Sequence, residues 1–244
     1  MKTVLITGCN GGLGTALMKR FASEGYNIIA CVYPKTPEFD QYCLEIESEY
    51  KVSTKQIVYN STSKEELLGA ISTISEIQED IDVLINNAGI SIIKPLFNVE
   101  YEDLEKTFQI NYFSTVMITK AVVEKMAHSN GGSIVNITSM VSMGSQPGGS
   151  CYDASKAAMN QFTKATAQEL AMFNIRVNGV AAAPMNTPMF KSLTEKTQKH
   201  ATKAIAMKRP AEVEEVANVA YFLTTEQASF ITGDIIRVDG GAIV

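Results

Sequence analysis

Tryptophan is absent from this 244-residue chain, and histidine occurs only twice, at His128 and His200. Two imidazoles so far apart, with no carboxylate or thiolate at ligand spacing, predict surface residues and no metal site. An acid or base is therefore expected from Tyr, Lys, Asp or Glu. The four cysteines, Cys9, Cys31, Cys43 and Cys151, show no C-x-x-C spacing, so reduced, structural thiols are expected. Positive charge is scarce too. Against 26 Asp+Glu stand 21 Lys+Arg, a net charge of −5, which leaves no basic field for nucleic acid or an anionic membrane surface. No apolar run approaches the roughly 20 residues of a spanning helix. The richest runs, Asn27 to Tyr33 and Val177 to Met185, are short or interrupted. After Met1 and Lys2 the first apolar run ends at Thr7-Gly8, so no secretory signal is expected, and a cytoplasmic location is.

What is present is ordinary globular composition, 45% hydrophobic and 19% charged, with no linker, repeat or charge block to divide it. One domain over residues 1–244 is expected. Short runs rich in β-branched residues recur at Thr3 to Thr7, Asn27 to Val32, Gln56 to Tyr59, Val83 to Asn86, Ser133 to Thr138, Ile175 to Val180 and Asp234 to Val238. Helical patterns lie near 13–24, 38–50, 64–78, 101–127, 153–172 and 212–224, the spacing that βαβ crossovers need. Unbroken apolar strands such as Val4-Leu5-Ile6 suit a sheet buried on both faces. The pattern predicts an α/β fold, a seven-stranded parallel sheet with helices on both sides. Only residues 181–210 read as irregular.

In such sheets ligands bind beyond the carboxyl ends of the strands. After the first strand comes Thr7-Gly8-Cys9-Asn10-Gly11-Gly12-Leu13-Gly14, which opens the first helix. Glycines there let backbone approach a pyrophosphate, and the helix N-terminal amides face it; a structural turn is the other reading. The second strand ends Tyr33-Pro34-Lys35, with no acid at its tip to hold a ribose 2′-hydroxyl. Lys35 suits a 2′-phosphate, which favours NADP(H) and leaves NAD(H) open; a solvated loop lysine is the alternative. Asn86-Asn87-Ala88-Gly89 ends the fourth strand, with small residues where a cofactor would lie close and an amide to brace the neighbouring loop. Asn111, inside the long helical pattern, either faces solvent or bonds back to its own turn.

The strongest local signal follows the fifth strand. Ser139 lies at its carboxyl end, and Tyr152-Asp153-Ala154-Ser155-Lys156 comes after a loop rich in Gly, Ser and Met. On a helix, Tyr152 and Lys156 share a face with roughly 6 Å of rise between them. An unperturbed phenol, pKa about 10, is a poor base at neutral pH, but a nearby ammonium is expected to lower that value. Tyr152 would then give a proton to a carbonyl oxygen while Ser139 hydrogen-bonds the same oxygen. A partly buried tyrosine beside a solvated lysine is the plain alternative.

Taken together, these motifs resemble the short-chain dehydrogenase/reductase family in its single-domain branch, over essentially the whole chain. The likeness rests on T-G-x3-G-x-G at Thr7 to Gly14, Asn86 to Gly89, Asn111, Ser139, Tyr152 with Lys156, Ile231-Thr232-Gly233 and Val238-Asp239-Gly240-Gly241. It implies a Rossmann-like doubly wound fold and a catalytic tetrad of Asn111, Ser139, Tyr152 and Lys156. Lys156 would also bind the nicotinamide ribose, and Asn111 would hold a relay water. The cofactor residues it implies are Gly8, Asn10, Gly12, Leu13, Gly14, Tyr33, Lys35, Asn60, Asn87, Ala88, Gly89, Tyr152, Lys156, Pro184 and Thr187. Asn60 stands where the family often has an Asp at the adenine. Pro184-Met185-Asn186-Thr187 lacks the glycine that usually follows the proline. An enoyl reductase of this superfamily would carry its tyrosine at position 149, which here is Gly149.

Ketone and secondary-alcohol chemistry is thus expected, most like that of 3-oxoacyl-[acyl-carrier-protein] reductases. Carrier docking would call for basic residues, whereas Ala127-His128-Ser129-Asn130 and Ala171-Met172-Phe173-Asn174 offer little charge. A general carbonyl reductase or alcohol dehydrogenase is the alternative, with Met140, Met143, Met185 and Met189 lining an adaptable apolar pocket. A non-catalytic NADP(H)-binding regulator would lack the Tyr or the Lys. Residues 187–207, with a helix-like run from Lys191 to Ala206, are expected to form a flap over substrate. The resemblance also implies a homotetramer built on the helices at 101–127 and 153–172.

Overall fold

A computed structural model describes residues 1–191 and 194–243. Each apolar run became a strand: β1 (Thr3–Thr7), β2 (Asn27–Val32), β3 (Thr54–Val58), β4 (Val83–Asn86), β5 (Gly132–Ser139), β6 (Ile175–Ala182) and β7 (Ile235–Val238). All pair in parallel in the order β3-β2-β1-β4-β5-β6-β7, the doubly wound arrangement that was expected. The order reverses beside β1, so the ends of β1 and β4 flank the switch point.

Helices α1 (Gly12–Ala22), α2 (Pro37–Tyr50) and α3 (Lys64–Glu76) follow the first three strands. The predicted helix at 101–127 is in fact three pieces: α4 (Tyr101–Phe108), a π-helical turn at Gln109–Phe113, and α5 (Ser114–Ala127). One widened turn inside a continuous helix re-aims its side chains, and Asn111 sits within it. Then come α6 (Tyr152–Leu170), two short helices α7 (Pro188–Lys191) and α8 (Glu195–Thr202), and α9 (Val213–Phe222). Within the expected flap, Ser192 and Leu193 lie outside the described residues, as do the side chains of Met189 and His200. The far end of that segment meets the chain's last residues, Met207 N donating to Gly240 O and Ile243 N to Ala204 O, each at 3.1 Å.

Alternate residues of β1 feed opposite layers, as period-two geometry requires. Val4 and Ile6 pack with Leu17 and Phe21 of α1, Ile46 of α2 and Val216 of α9. Leu5 packs on the other face with Ile74 of α3, Ile118 and Val122 of α5 and Ala167 of α6. All four cysteines are free and buried. Burial pushes the Cys31 thiol up to about 12 and the Cys9 thiol well above its usual value. No described helix is long and apolar enough to cross a membrane, and the described residues hold no group of His, Cys, Asp and Glu that could bind a metal.

Under the carboxyl ends of β4 and β5 runs a buried polar chain. Asn86 Nδ2 donates to Thr119 Oγ1 of α5 (2.9 Å) and to Asn136 Oδ1 of β5 (2.8 Å), and Asn136 Nδ2 donates to Thr163 Oγ1 of α6 (2.8 Å). It ties two strands to the two helices that carry the candidate site. Replacing Asn136 by Ala leaves one buried Asn86 N–H without its acceptor, while Thr163 keeps its bond to Met159 O, and an unmet buried polar group costs about 1–3 kcal/mol. Urea unfolding of Asn136→Ala is expected to show that loss in midpoint with an unchanged slope.

Candidate active site

Two strand ends are laced together at the switch point. The Thr7 hydroxyl oxygen accepts from Asn87 N and Ala88 N, both at 3.0 Å, and Asn87 Nδ2 donates to Thr7 O (2.9 Å) and Gly8 O (3.1 Å). At two glycines of this seam a side chain would not fit. Gly8 holds φ +70, and a Cβ there would come 2.9 Å from Ala88 Cα, while one on Gly14 would come 2.1 Å from Gly8 O. Helix α1 starts at Gly12 with no side chain capping it, so its N-terminal amides face the loop. Leu13 is buried in the core, so only its backbone serves that end. Such a cradle could hold a pyrophosphate against backbone amides.

The remaining cofactor candidates surround it. Asn10 Nδ2 donates to Tyr33 O (3.3 Å) and Pro34 O (3.1 Å), joining the glycine loop to the tip of β2. Lys35 is not a lone cation: its ammonium lies 3.1 Å from Asp40 Oδ1 at the start of α2. Asp40 also accepts from Gln56 Nε2 of β3 (2.8 Å), and these contacts, Gln56 first, hold its carboxyl below the usual range. Asn60 Oδ1 accepts from Thr62 N (3.0 Å) and Thr62 Oγ1 (2.7 Å), so that oxygen already caps a local turn. Pro184 O accepts from Ala211 N (2.9 Å). Thr187 reaches the glycine loop despite the missing glycine: a Cβ on Gly12 would meet its methyl carbon at 2.7 Å.

The second cluster lies past β4 and β5. Asn111, 1% exposed, accepts from Ile90 N (2.8 Å) and donates through Nδ2 to Ile90 O (3.0 Å) and Ser155 Oγ (2.9 Å). It faces neither solvent nor its own turn, the two readings the residues alone had allowed. Ser155 Oγ in turn donates to Tyr152 O (2.7 Å). Ser155, 0% exposed, is a connector that the spacing Y-x3-K conceals. Lys156 Nζ donates to Ile137 O (3.0 Å), and a Cβ on Gly89 would stand 3.2 Å from both that nitrogen and Asn111 Oδ1. Gly89 therefore passes directly beside the polar cluster, while Asn87 and Ala88 lie against Thr7 and Gly8.

Electrostatics corrects one expectation. Burial raises the Tyr152 phenol above its usual value, and the hydrogen bond from Ser139 only partly offsets it. Lys156 yields instead: desolvation lowers its ammonium to about 8. At neutral pH the pair is thus a protonated phenol and a still largely charged amine. That combination can donate a proton to an oxygen held by Ser139. Of the four methionines, Met140 joins Val141, Ala183, Ile205 and Ala242 in a buried cluster against Tyr152. Met143 is exposed and Met185 packs on the main core. At Gly149 a Cβ would lie 2.0 Å from Asp153 Oδ2, so no tyrosine fits there.

Comparisons with known proteins bear on the family. A family model described as Enoyl-(Acyl carrier protein) reductase matches residues 8–242. The 3-oxoacyl-[acyl-carrier-protein] reductase FabG of Thermotoga maritima is 36% identical over 100% of this chain and 98% of its own. The 3alpha-hydroxysteroid dehydrogenase of Mediterraneibacter gnavus is 34% identical over 99% and 96%. Among solved structures, L-sorbose reductase from Gluconobacter frateurii, complexed with NADPH and L-sorbose, superposes with a TM-score of 0.90 at 25% identity, covering 99% of this chain and 96% of that one.

The depressed Lys156 carries a stability signature. Between its folded value of about 8 and the ordinary 10.5 the unfolded state binds more protons, so its contribution to stability rises with pH through that window and is lost as pH falls through 8. Lys156→Met removes the burden. The variant is expected to be more stable than the parent at pH 7, by at most about 3 kcal/mol, with the gap closing by pH 10. Urea titrations at both pH values measure it.

Proposed function

The chain belongs to the short-chain dehydrogenase/reductase family, and from that premise we propose that it is an NADP(H)-dependent oxidoreductase interconverting a ketone and a secondary alcohol, with a 3-oxoacyl thioester as the favoured substrate. The observation that carries the reading is the joining of Ser139, Tyr152, Lys156 and Asn111 in one buried cluster facing Gly89. A non-catalytic cofactor-binding role would leave that cluster without a purpose.

The glycine cradle and the α1 amides suit the pyrophosphate, with Asn10, Tyr33, Lys35 and Asn60 at the adenosine end. Asn87, Ala88, Gly89, Lys156, Pro184 and Thr187 serve the nicotinamide end. When bound, the cofactor supplies the hydride. Tyr152 donates its proton to the substrate oxygen, and Ser139 holds that oxygen by a hydrogen bond. Lys156, cationic below about pH 8, stabilises the phenolate that results. Asn111 holds the loop after β4 at Ile90; with both amide hydrogens spent, a water that returns the proton would use the second lone pair of its Oδ1. Lys35 supports NADP(H), although a 2′-phosphate has to share its ammonium with Asp40. L-sorbose reductase, crystallised with NADPH, is in keeping with that preference.

The sparse charge after α5 and α6 favours a second reading, a reductase of free ketones with no carrier to dock. Names among the relatives span both, a carrier-linked reductase and a hydroxysteroid dehydrogenase. A homotetramer over α4–α6 is consistent with Tyr101 (73% exposed), Phe113 (51%) and the outward Ala157 and Ala165. A cytoplasmic location goes with four reduced thiols.

Purified protein given a short 3-oxoacyl thioester is expected to oxidise NADPH faster than NADH. Tyr152→Phe should cut kcat by about 10³-fold while leaving NADPH affinity within about twofold. Full turnover in that variant would remove Tyr152 from the proton step. Faster use of NADH would reverse the cofactor preference, and turnover of free ketones alone would favour the second reading.

A further inference from the structure

The segment joining Ser139 to Tyr152 takes no part in the proton chemistry, yet it connects the two groups assigned to the substrate oxygen. Gln146-Pro147-Gly148-Gly149 forms a tight turn within it. Gly149 N donates to Gln146 O (3.0 Å), with Pro147 in the second position and Gly148 at φ +83 in the third. That is type II turn chemistry. By itself such a turn has no fixed orientation against a neighbouring helix.

One side chain provides it. Asp153, in the first turn of α6 and 9% exposed, accepts from Gln146 N (2.9 Å) and from Gln146 Nε2 (3.1 Å). Its own N–H donates to Gly149 O at 2.7 Å. The fit is close enough that a Cβ on Gly149 would collide with the carboxylate. A carboxylate at a helix N-terminus is also favourably placed. On its other side the turn meets the loop after β4, where Lys94 N donates to Gly148 O (3.0 Å) and Lys94 Nζ pairs with Asp103 of α4 (2.7 Å). None of these groups belongs to the glycine cradle.

We infer that Asp153 is a positioning residue for the ketone: it staples the Gln146–Gly149 turn to the helix bearing Tyr152 and so fixes the substrate-side wall between Ser139 and Tyr152. This rests on the functional reading above. The turn meets the loop after β4 at Lys94, beyond the Asn87–Gly89 stretch assigned to the cofactor, so loosening it acts on the ketone and spares the dinucleotide. Loss of fold would move both.

The test compares Asp153→Ala, Asp153→Asn and Gln146→Ala in the full-length protein, with a short 3-oxoacyl thioester and NADPH varied in turn. Asp153→Ala is expected to raise the KM for the thioester about tenfold and lower kcat several-fold, with the KM for NADPH within about twofold. Asparagine still accepts from Gln146 N and is expected to restore the thioester KM to within about threefold. Gln146→Ala, which keeps the backbone bond, gives a smaller rise in the same direction and stands in if Asp153→Ala does not fold. Unchanged thioester kinetics, or both KM values rising together, overturns the inference. Amide exchange reads the staple without turnover: the Gln146 and Gly149 N–H groups exchange slowly in the parent and faster in Asp153→Ala, and equal rates also overturn it. If the parent reduces no ketone, the functional reading fails while exchange still decides whether the staple exists.

Discussion

Asn111 spends its whole side chain on other parts of the protein, and the candidate site depends on that. Its carboxamide binds both backbone groups of Ile90 and the Ser155 hydroxyl. A loop leaving β4 is thereby held against the first turn of α6, though neither is its sequence neighbour. Regular helical geometry would carry this side chain elsewhere. The π turn at Gln109–Phe113 sacrifices ideal backbone hydrogen bonding to aim it, a local irregularity kept by what it contacts. Gly89 then passes close to Lys156, where a Cβ would be a tight fit at 3.2 Å from the ammonium nitrogen.

The same burial sets the charges. Desolvation disfavours the ionised form of either partner, so the phenol rises and the ammonium falls. The four-residue spacing suggests an ammonium that lowers the phenol, yet burial sets the phenol's direction and the hydrogen bond from Ser139 is what opposes it. Burial therefore favours a protonated phenol and a less basic amine on the same helix. Beneath them the Asn86–Asn136–Thr163 chain is a buried polar layer between sheet and helices. Each member is paired, except that Asn86 Oδ1 has no partner. Such a layer specifies one register between strands and helices at some cost in burial.

Much of this was legible in the order of residues. Strand starts and ends came out within two residues for all seven, because β-branched runs bounded by Gly, Asn and Ser leave little freedom. The glycine loop, Asn87, Ser139, Tyr152 and Lys156 were legible as well, since chemistry restricts which residue types can stand at a strand end. What stayed hidden depends on contacts between distant segments. A one-residue widening leaves no mark in hydrophobic periodicity, so the break at Asn111 could not be seen. Asp40 lies five residues beyond Lys35 and pairs with it only because α2 turns back over β3. Ser155 and Asp153 occupy positions that the Y-x3-K spacing treats as filler. The upward shift of Tyr152 is a property of its surroundings, and a string of letters records only the nearby lysine.

Three of the four buried thiols, Cys9, Cys31 and Cys43, lie along the β1–β2–α2 side of the glycine loop. Their raised values mean that almost none is thiolate at neutral pH, and burial shields them from reagents in solution. Alkylation of the intact protein must therefore wait for that edge of the sheet to open. Cys9 and Cys43 report opening of the layer under α1 and α2, and Cys31 opening of the opposite face, so the thiols act as a built-in clock for excursions on both sides of the strand end beside the glycine loop.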